Sequence, residues 1–199
     1  MKPPLVVGIS GASGAILGVR LLEILTQADV PAHLVVSRSA AQTLKEETDL
    51  SLESVRGLAE VIYSNSDIGA AISSGSFKTR GMIIIPCSIR TLSDIAYGRT
   101  DTLLSRAGDV TLKERRRLVL VVRETPLHTG HLRSMIAASE SGAIIMPPVP
   151  GYYHRPKTID DIVNQTVGRA LDLFDIDAGV VKRWRGEPPE EDGGSSEFA

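Results

Sequence analysis

The sequence has little of several features that would point to particular classes of protein. Its one cysteine, Cys87, excludes an internal disulfide framework and fits a reducing compartment. Its formal net charge is −2, so no overall basic field favours nucleic acid as a partner. It has no apolar stretch of about 18 residues, as a membrane helix needs, and the apolar run after residues 1–4 is too short for a signal peptide. We therefore expect a soluble, cytoplasmic protein without a membrane span.

The remaining composition is that of one globular domain. With 199 residues and 42% hydrophobic content, the chain can bury a substantial core, and it shows no internal repeat. Its last segment, 187–199, reads EPPEEDGGSSEFA and is acidic and rich in Gly and Ser. Such a composition buries too little apolar surface to fold. We predict one domain over residues 1–186 and a disordered acidic tail over residues 187–199.

Apolar segments of strand length alternate with amphipathic segments of helical length along most of the domain. Because the strand-like segments are apolar on both faces, they favour a buried parallel sheet. The pattern predicts an α/β fold, a single Rossmann-like doubly wound parallel sheet with helices on both faces. Residues 55–63 fit either a helix or a strand. The predicted strands are 5–9, 32–36, 81–86, 117–122 and 143–146, and the predicted helices are 15–27, 40–47, 92–96, 102–114, 127–141 and 159–174.

Ligands of doubly wound sheets bind beyond the carboxyl ends of the strands. We therefore expect the loops that follow the predicted strands to converge on one crevice. These loops are 10–14, 37–38, 86–91, 123–125 and 147–156.

The first of these loops, Ser10–Gly14, consists of small residues and leads directly into a predicted helix. Free N–H groups and the dipole at a helix N-terminus favour a phosphate, and glycine lets the backbone approach it closely. The loop matches neither the spaced glycines of dinucleotide enzymes nor the Gly-Lys-Ser/Thr ending of a P-loop. A phosphate cradle and a plain tight turn therefore both remain open.

A second turn of this kind, Pro86–Thr91, follows the most apolar predicted strand. Ser88 can cap the helix that begins there, or the turn can bind part of a ligand. Cys87 is a candidate nucleophile, but a cysteine beside an apolar strand is usually a small buried hydrophobe. We expect Cys87 to be inert, because no cation precedes or follows it directly to favour the thiolate.

Cationic residues cluster from residue 106 to residue 117 and recur after the next predicted strand. Arg106 and Lys113 are seven residues apart, so they share a helical face and can grip one anionic group. Arg123 and Glu124 stand at the end of a buried strand, where charge is costly unless it is paired or functional. This pair is a stronger site candidate than the surface cluster.

His128 and His131 lie three residues apart, a spacing that allows metal chelation on a helix. However, no H-E-x-x-H pattern and no third carboxylate ligand accompany them. Since Pro126 lies close to the first helical turn, we expect both histidines to cap or pack the helix. We predict no metal site.

A proline-dense loop, residues 147–156, follows the last predicted strand. It carries two of the four tyrosines, Tyr152 and Tyr153, in a chain with only 4% aromatic residues. Tyr153 can donate to a phosphate, and Arg169 in the following helix can complete the clamp. The loop can instead cover a sheet edge or form a subunit contact.

Together, seven motifs of the chain resemble those of the UbiX-type flavin prenyltransferases, which belong to the homo-oligomeric flavin-containing decarboxylase-like proteins. The resemblance covers about residues 5–184. The motifs are GISGASGA (8–15), EETD (46–49), ISSGSF (72–77), PCSIRTL (86–92), LKERR (112–116), RETPLHTGHL (123–132) and PPVPGYYHRP (147–156).

The resemblance implies a metal-independent reaction. The dimethylallyl group of dimethylallyl monophosphate is joined to N5 and C6 of reduced FMN. The product, prenylated FMN, serves UbiD-type decarboxylases in ubiquinone biosynthesis or aromatic acid decarboxylation. The resemblance also implies a large homo-oligomer, commonly a dodecamer, with sites at subunit interfaces.

By matched position, the resemblance assigns three overlapping sets of residues. The catalytic set is Ser13, Glu47, Lys113 and Glu124. The FMN-binding set is Gly11, Ala12, Ser13, Ser37, Ser88, Ile89, Arg90, Thr91 and Arg123. The set for dimethylallyl phosphate, in part across a subunit boundary, is Arg106, Lys113, Arg123, Tyr153, Arg169 and Trp184.

One position departs from the pattern of some relatives. They carry a tryptophan that lines the prenyl pocket in the segment before ISSGSF, where this chain has Ile68. Trp184, the only tryptophan, aligns with a second aromatic position. We therefore expect cation–π support from fewer rings and an altered pocket shape, with the same reaction class.

Three other functions are compatible with parts of the sequence. An FMN-dependent cysteine decarboxylase of the same fold typically carries a PASANT-like segment, where this chain has residues 86–91. Direct decarboxylation of aromatic acids is an older assignment for such proteins, now better explained by supply of the cofactor. FMN storage would explain the Ser/Gly loops but would give Lys113, Glu124 and Arg169 no role.

Overall fold

The computed structural model describes residues 2–184 and 186, so the predicted disordered tail lies outside the described residues. Six parallel strands form one sheet in the spatial order β3-β2-β1-β4-β5-β6. The strands are β1 (Leu5–Ile9), β2 (Ala32–Val36), β3 (Val61–Tyr63), β4 (Gly81–Cys87), β5 (Arg117–Val122) and β6 (Ala143–Ile145). The helices are α1 (Ala15–Gln27), α2 (Arg38–Glu47), α3 (Leu52–Arg56), α4 (Ile89–Ala96), α5 (Leu103–Lys113), α6 (Thr129–Glu140) and α7 (Ile159–Asp172), with a 3-10 turn at Ala71–Ser73.

The predicted doubly wound α/β fold is confirmed, with helices on both faces of the sheet. The bounds predicted for β1, α1, β2 and β5 agree with the structure. Residues 55–63, whose type was left open, contain the end of a short helix, α3, and a three-residue edge strand, β3. The ambiguity arose because each element is too short to establish its own periodicity.

The core has two layers, one on each face of the sheet. All seven residues of β4 are buried, and their side chains alternate between the layers: Ile83 and Ile85 face one, Met82 and Ile84 the other. Each such side chain contributes about 1.5–3 kcal/mol by burial. This two-sided burial explains why β4 reads as a continuous apolar run.

The strand order reverses between β1 and β4, which are hydrogen-bonded neighbours. From β1 the chain continues outward to β2 and β3, and from β4 it continues to β5 and β6 on the other side. Helices α1 and α4 therefore begin at the same edge of the sheet and flank the switch point, where doubly wound sheets bind ligands. Within the part of the chain described, no helix is both long and apolar enough to cross a membrane.

Candidate active site

Ser10 ties together the two loops that flank the switch point. Its hydroxyl donates to the carbonyl of Pro86 at 3.0 Å and accepts from the N–H of Ser88 at 2.7 Å. Only 1% of the residue is exposed. The start of α4 is thereby held at a set distance from the loop before α1. Sequence reasoning did not assign Ser10 a role, because its partners lie more than 70 residues away.

The neighbouring loops meet at the same edge, as expected from the sequence. Ser37 caps α2 by accepting from the N–H of Ala40 at 3.1 Å, and its N–H donates to Ile9 at 2.9 Å. Gly11 lies so close to α2 that a Cβ there would stand 2.2 Å from the Oγ of Ser39. A side chain at Gly11 would therefore push the two loops apart.

The N-terminus of α1 is occupied by a carboxylate of the chain itself. Glu47, the last residue of α2, accepts from the N–H of Gly14 at 2.8 Å and of Ala15 at 3.0 Å. Burial would raise the pKa of Glu47, but hydrogen bonds from Ser13, Ala15 and Gly14 and the charge of Arg123 hold it below its usual range. The positive end of the α1 dipole, which the sequence offered as a phosphate cradle, is therefore already compensated by the Glu47 carboxylate.

Replacing Glu47 with glutamine is expected to lower the free energy of unfolding by an amount that decreases as the pH falls. Because the folded-state pKa of Glu47 is lowered, its stabilising effect is present above the ordinary value of about 4.5 and is lost as pH falls through the folded value. The difference in Tm between the parent and Glu47→Gln should be largest at neutral pH and shrink in acid. Thermal melts across pH measure it. A difference that does not change with pH would contradict the ionised cap. Glu46→Gln, whose carboxylate accepts from Gln42 of its own helix, is the matched control.

The N-terminus of α4 is capped differently, by a neutral hydroxyl. Ser88 Oγ accepts from the N–H of Thr91 at 3.3 Å and donates to its Oγ1 at 3.1 Å. The Arg90 side chain is 87% exposed beside this end, with Asp94 at 3.9 Å. Because the Ser88 cap is neutral and the Arg90 guanidinium is exposed nearby, the positive end of α4 is suited to an anion.

Cys87 lies fully buried at the end of β4. Burial raises the pKa of its thiol far above the usual range. This favours the neutral thiol, and the expectation that Cys87 is a small buried hydrophobe is confirmed.

Arg123 and Glu124 continue the same edge after β5. The N–H of Arg123 donates to the carbonyl of Cys87 at 3.0 Å, and both charged side chains are exposed. The Glu124 carboxylate accepts from the N–H of Thr125 at 3.0 Å. Since the Arg123 charge also acts on Glu47, the structure brings Ser13, Glu47 and Arg123 together at the switch-point crevice, defined here as the space bordered by Ser10–Gly14 and Ser88–Thr91.

A second concave site, the Tyr153 cavity, lies beyond β6. It has a volume of about 230 Å³ and is lined in part by Met146, Tyr153, Gln165 and Arg169. Tyr153 and Arg169, which the sequence predicts to clamp a phosphate, both line this cavity. Neighbouring strands lie about 4.8 Å apart, so β6, beyond which this cavity lies, is roughly 10 Å from β4 at the switch point.

Two further contacts shape the Tyr153 cavity. Asp172 accepts from Arg169 at 2.6 Å and from Arg183 at 2.8 and 2.9 Å, and these arginines, Arg183 first, hold its pKa below the usual range. The Trp184 ring lies edge-on to Tyr153 with centroids 5.9 Å apart, so the second aromatic position does adjoin the predicted phosphate clamp.

Ile68, the position where some relatives carry a tryptophan, is 60% exposed in the loop after β3.

Gln165 and His154 also line this cavity, although sequence reasoning missed both. Gln165 is buried and donates to the Tyr153 hydroxyl at 2.9 Å. Both ring nitrogens of His154 are buried without a hydrogen-bond partner among the described residues. The spacing of Gln165 one helical turn before Arg169 was the available signal.

Lys113 lies at the opposite edge of the sheet from this site. Helix α5 begins beside Asn65, just past the carboxyl end of β3, and ends at Lys113, before β5 starts. From Arg117 to Arg123 the strand rises about 20 Å at 3.3 Å per residue. Lys113 of one chain is therefore remote from that chain's Arg123.

Arg106 and Lys113, which we predicted to grip one anion, each pair with a carboxylate of the same chain. Arg106 pairs with Asp109 at 2.9 Å, whereas Lys113 pairs with Glu114 at 2.5 Å. The two cations are about 10 Å apart along the helix axis. Lys113 also lies over Gly75, where a Cβ would come within 2.8 Å of its Nζ.

His128 and His131 pack against each other, with ring centroids 3.6 Å apart. The Nδ1 atom of His128 accepts from the N–H of Gly130 at 3.0 Å and caps α6. The predicted capping role of His128 is confirmed. In residues 2–184 and 186, no three His, Cys, Asp or Glu side chains gather as a metal site would require.

Comparison with known proteins establishes the relationship of this chain. A profile of the Flavoprotein family matches residues 1–171. "Flavin prenyltransferase UbiX" of Escherichia coli K12 is 60% identical over 185 residues, which cover 92% of this chain and 98% of that protein. The chain belongs to the UbiX-type flavin prenyltransferase family.

Two solved structures of this family share its fold. AnUbiX (PadA1), in complex with FMN and dimethylallyl pyrophosphate, has a TM-score of 0.93 and 48% identity, covering 94% of this chain and all of that one. A dodecameric FMN-dependent UbiX-like decarboxylase from Escherichia coli O157:H7 has a TM-score of 0.90 and 49% identity, with 94% and 100% coverage. The family resemblance inferred from the motifs is thereby confirmed.

Proposed function

We propose that this protein is a flavin prenyltransferase that joins the dimethylallyl group of dimethylallyl monophosphate to N5 and C6 of reduced FMN. The observation that carries the proposal is 60% identity, over nearly the whole chain, to a flavin prenyltransferase. The cysteine decarboxylase alternative fits less well, because the chain has PCSIRT at residues 86–91, where such enzymes carry a PASANT-like segment.

The switch-point crevice is the proposed FMN site. The uncompensated N-terminus of α4 and the exposed Arg90 suit the FMN phosphate, whereas α1 already holds the Glu47 carboxylate. FMN supplies a ring that is nucleophilic at N5 and C6 when reduced. The proposed contacts are Gly11, Ala12, Ser13, Ser37, Ser88, Ile89, Arg90, Thr91 and Arg123.

The Tyr153 cavity is the proposed site for the phosphate of the prenyl donor. Breaking the bond between C1 and oxygen leaves negative charge on the phosphate, which a preorganised phenol and cations stabilise. Arg169 is held by Asp172, and Tyr153 is held by Gln165. Arg106 and Trp184 are proposed to support the same pocket.

A second copy of the chain is needed to complete this site. Lys113 lies at the far edge of the sheet in its own chain, so it can reach a phosphate at the carboxyl edge only when a neighbouring copy presents it. The similar protein from Escherichia coli O157:H7 is dodecameric. We propose a homo-oligomer of this kind, with Lys113 acting across a subunit boundary.

The two glutamates differ in environment and are proposed to move different protons. Glu47 accepts hydrogen bonds from Gly14 and Ala15 and is ionised at neutral pH, so it can take a proton released at N5 or C6. Glu124 is exposed beside Arg123 and can exchange a proton with the departing phosphate. Release of prenylated FMN to a UbiD-type decarboxylase in the cytoplasm, for ubiquinone biosynthesis or aromatic acid decarboxylation, is the proposed outcome.

One experiment tests the reaction directly. The protein is incubated without oxygen with reduced FMN and dimethylallyl monophosphate, and the flavin is analysed by mass spectrometry. A flavin heavier by one dimethylallyl group is the expected result. An unchanged flavin mass would contradict prenyl transfer, and release of carbon dioxide from a cysteine-terminated peptide would favour the alternative.

Replacing Ser13 with alanine is expected to reduce turnover more than FMN affinity. The Ser13 side chain lies in the switch-point crevice and helps to hold the pKa of Glu47 below its usual range. A hydrogen bond to a charged group is worth about 1.5–3 kcal/mol, or roughly 10–100-fold in rate. Single-turnover rates and flavin fluorescence titration separate the two effects. Equal losses would instead assign Ser13 to FMN binding. Ser54→Ala, whose hydroxyl bonds within its own turn, is the control.

A further inference from the structure

The side chain of Gln165 lines the Tyr153 cavity. The residue is 6% exposed on α7. Its Oε1 accepts from the N–H of Lys182 at 3.0 Å. Its Nε2 donates to the hydroxyl oxygen of Tyr153 at 2.9 Å and to the carbonyl of Lys182 at 3.3 Å.

The chemistry of these groups allows only one orientation of the amide. A backbone N–H can only donate, so the oxygen of Gln165 must face Lys182 N–H. The amide nitrogen then faces Tyr153, and an NH₂ group is a donor with no acceptor capacity. The Tyr153 oxygen must therefore accept this bond, which leaves its own O–H proton free for another partner.

We propose that Gln165 is a positioning residue that sets the direction of the Tyr153 hydrogen bond, so that the phenol donates to the substrate phosphate. The inference rests on the proposed function for the identity of that phosphate. A phosphate has acceptor oxygens and needs donors, so a phenol whose proton is used by a protein acceptor would repel it. The same amide holds Lys182, two residues before Trp184, against α7.

Gln165→Glu provides a sharp test because it preserves shape. Its carboxylate can still accept from Lys182 N–H, but it also accepts the Tyr153 proton and so reverses that hydrogen bond. We expect the KM for dimethylallyl monophosphate to rise about tenfold or more, the size of one hydrogen bond to a charged group. FMN affinity should remain at the parent level. Gln27→Glu, the same change at an exposed site at the end of α1, should alter neither quantity.

A double-mutant cycle separates positioning from a purely structural role. If Gln165 acts through the Tyr153 hydroxyl, Gln165→Leu should raise KM in the parent but add little in a Tyr153→Phe background. Additive effects would show that Gln165 acts only through Lys182 and the C-terminal segment, and would overturn the proposal. Melting temperatures of all variants identify any that fail to fold.

A spectroscopic readout keeps this inference separate from the reaction itself. The ultraviolet resonance Raman doublet of tyrosine distinguishes a phenol that accepts a hydrogen bond from one that donates, and subtracting the Tyr153→Phe spectrum isolates Tyr153. In the protein without substrate, Gln165→Glu should shift the Tyr153 signal from acceptor to donor. An unchanged signal would overturn the inference even if prenyl transfer is observed, and a shifted signal would support it even if prenyl transfer fails.

Discussion

Replacing Lys113 with alanine should abolish nearly all prenyl transfer while FMN stays bound. Removing one preorganised group that stabilises developing charge typically costs about 10²–10³-fold in rate. Lys113 is half-exposed at the end of α5, far from the switch-point crevice of its own chain, so its loss should not disturb that chain's FMN site. Single-turnover prenylation and flavin titration measure the two effects. Arg115→Ala, which removes a cation two residues further along, is the control.

Mixed oligomers test where Lys113 acts. Lys113→Ala and Glu124→Gln subunits, each inactive alone, are co-expressed and purified together through different tags. If a neighbouring copy supplies Lys113, some sites combine an intact Lys113 with an intact Glu124, and activity returns. Mixed oligomers that remain as inactive as either parent would place both residues in one chain's site. That result would contradict the subunit-boundary arrangement.

Replacing Glu124 with glutamine should reduce turnover by about 10²–10⁴-fold, the usual contribution of general acid–base catalysis. The amide keeps the shape of the side chain and can still accept from the N–H of Thr125, so the loop after β5 should hold its position. What is lost is the ability to exchange a proton with the phosphate.

Rapid-mix single turnovers with bound FMN and flavin titration check this prediction. Parent-like turnover in Glu124→Gln would exclude a proton-transfer role, and loss of FMN binding would assign Glu124 to the flavin site instead. Glu140→Gln, at the exposed C-terminal end of α6, is the control for the charge change.

Much of the fold was predictable because its longest elements carry their own signals. Helix α1 repeats apolar residues at helical spacing, and β4 is apolar throughout because helices cover both faces of the sheet. Residues 52–63 were not predictable in this way. This segment holds a five-residue helix and a three-residue strand, and both are too short to show a helical or strand periodicity of apolar residues.

The site was predictable in its residue types and less so in its arrangement. The meeting of Ser10–Gly14, Ser37 and Ser88 at one edge follows from parallel strands, whose carboxyl ends share an edge. The anion at the N-terminus of α1 was not foreseen. Glu47 reaches that end across 33 residues, and no local pattern records such a contact.

The sequence by itself determined the doubly wound fold, the family and the burial of Cys87, since each depends on local periodicity, motif composition or the apolar strand beside it. Only the tertiary structure decided which groups bond to one another. It put Glu47 rather than a ligand on α1, separated Lys113 from Arg123, and turned the Gln165 amide toward Tyr153. The physical reason is that hydrogen-bond direction and charge pairing depend on side chains brought together by packing, and residues distant in sequence supply them.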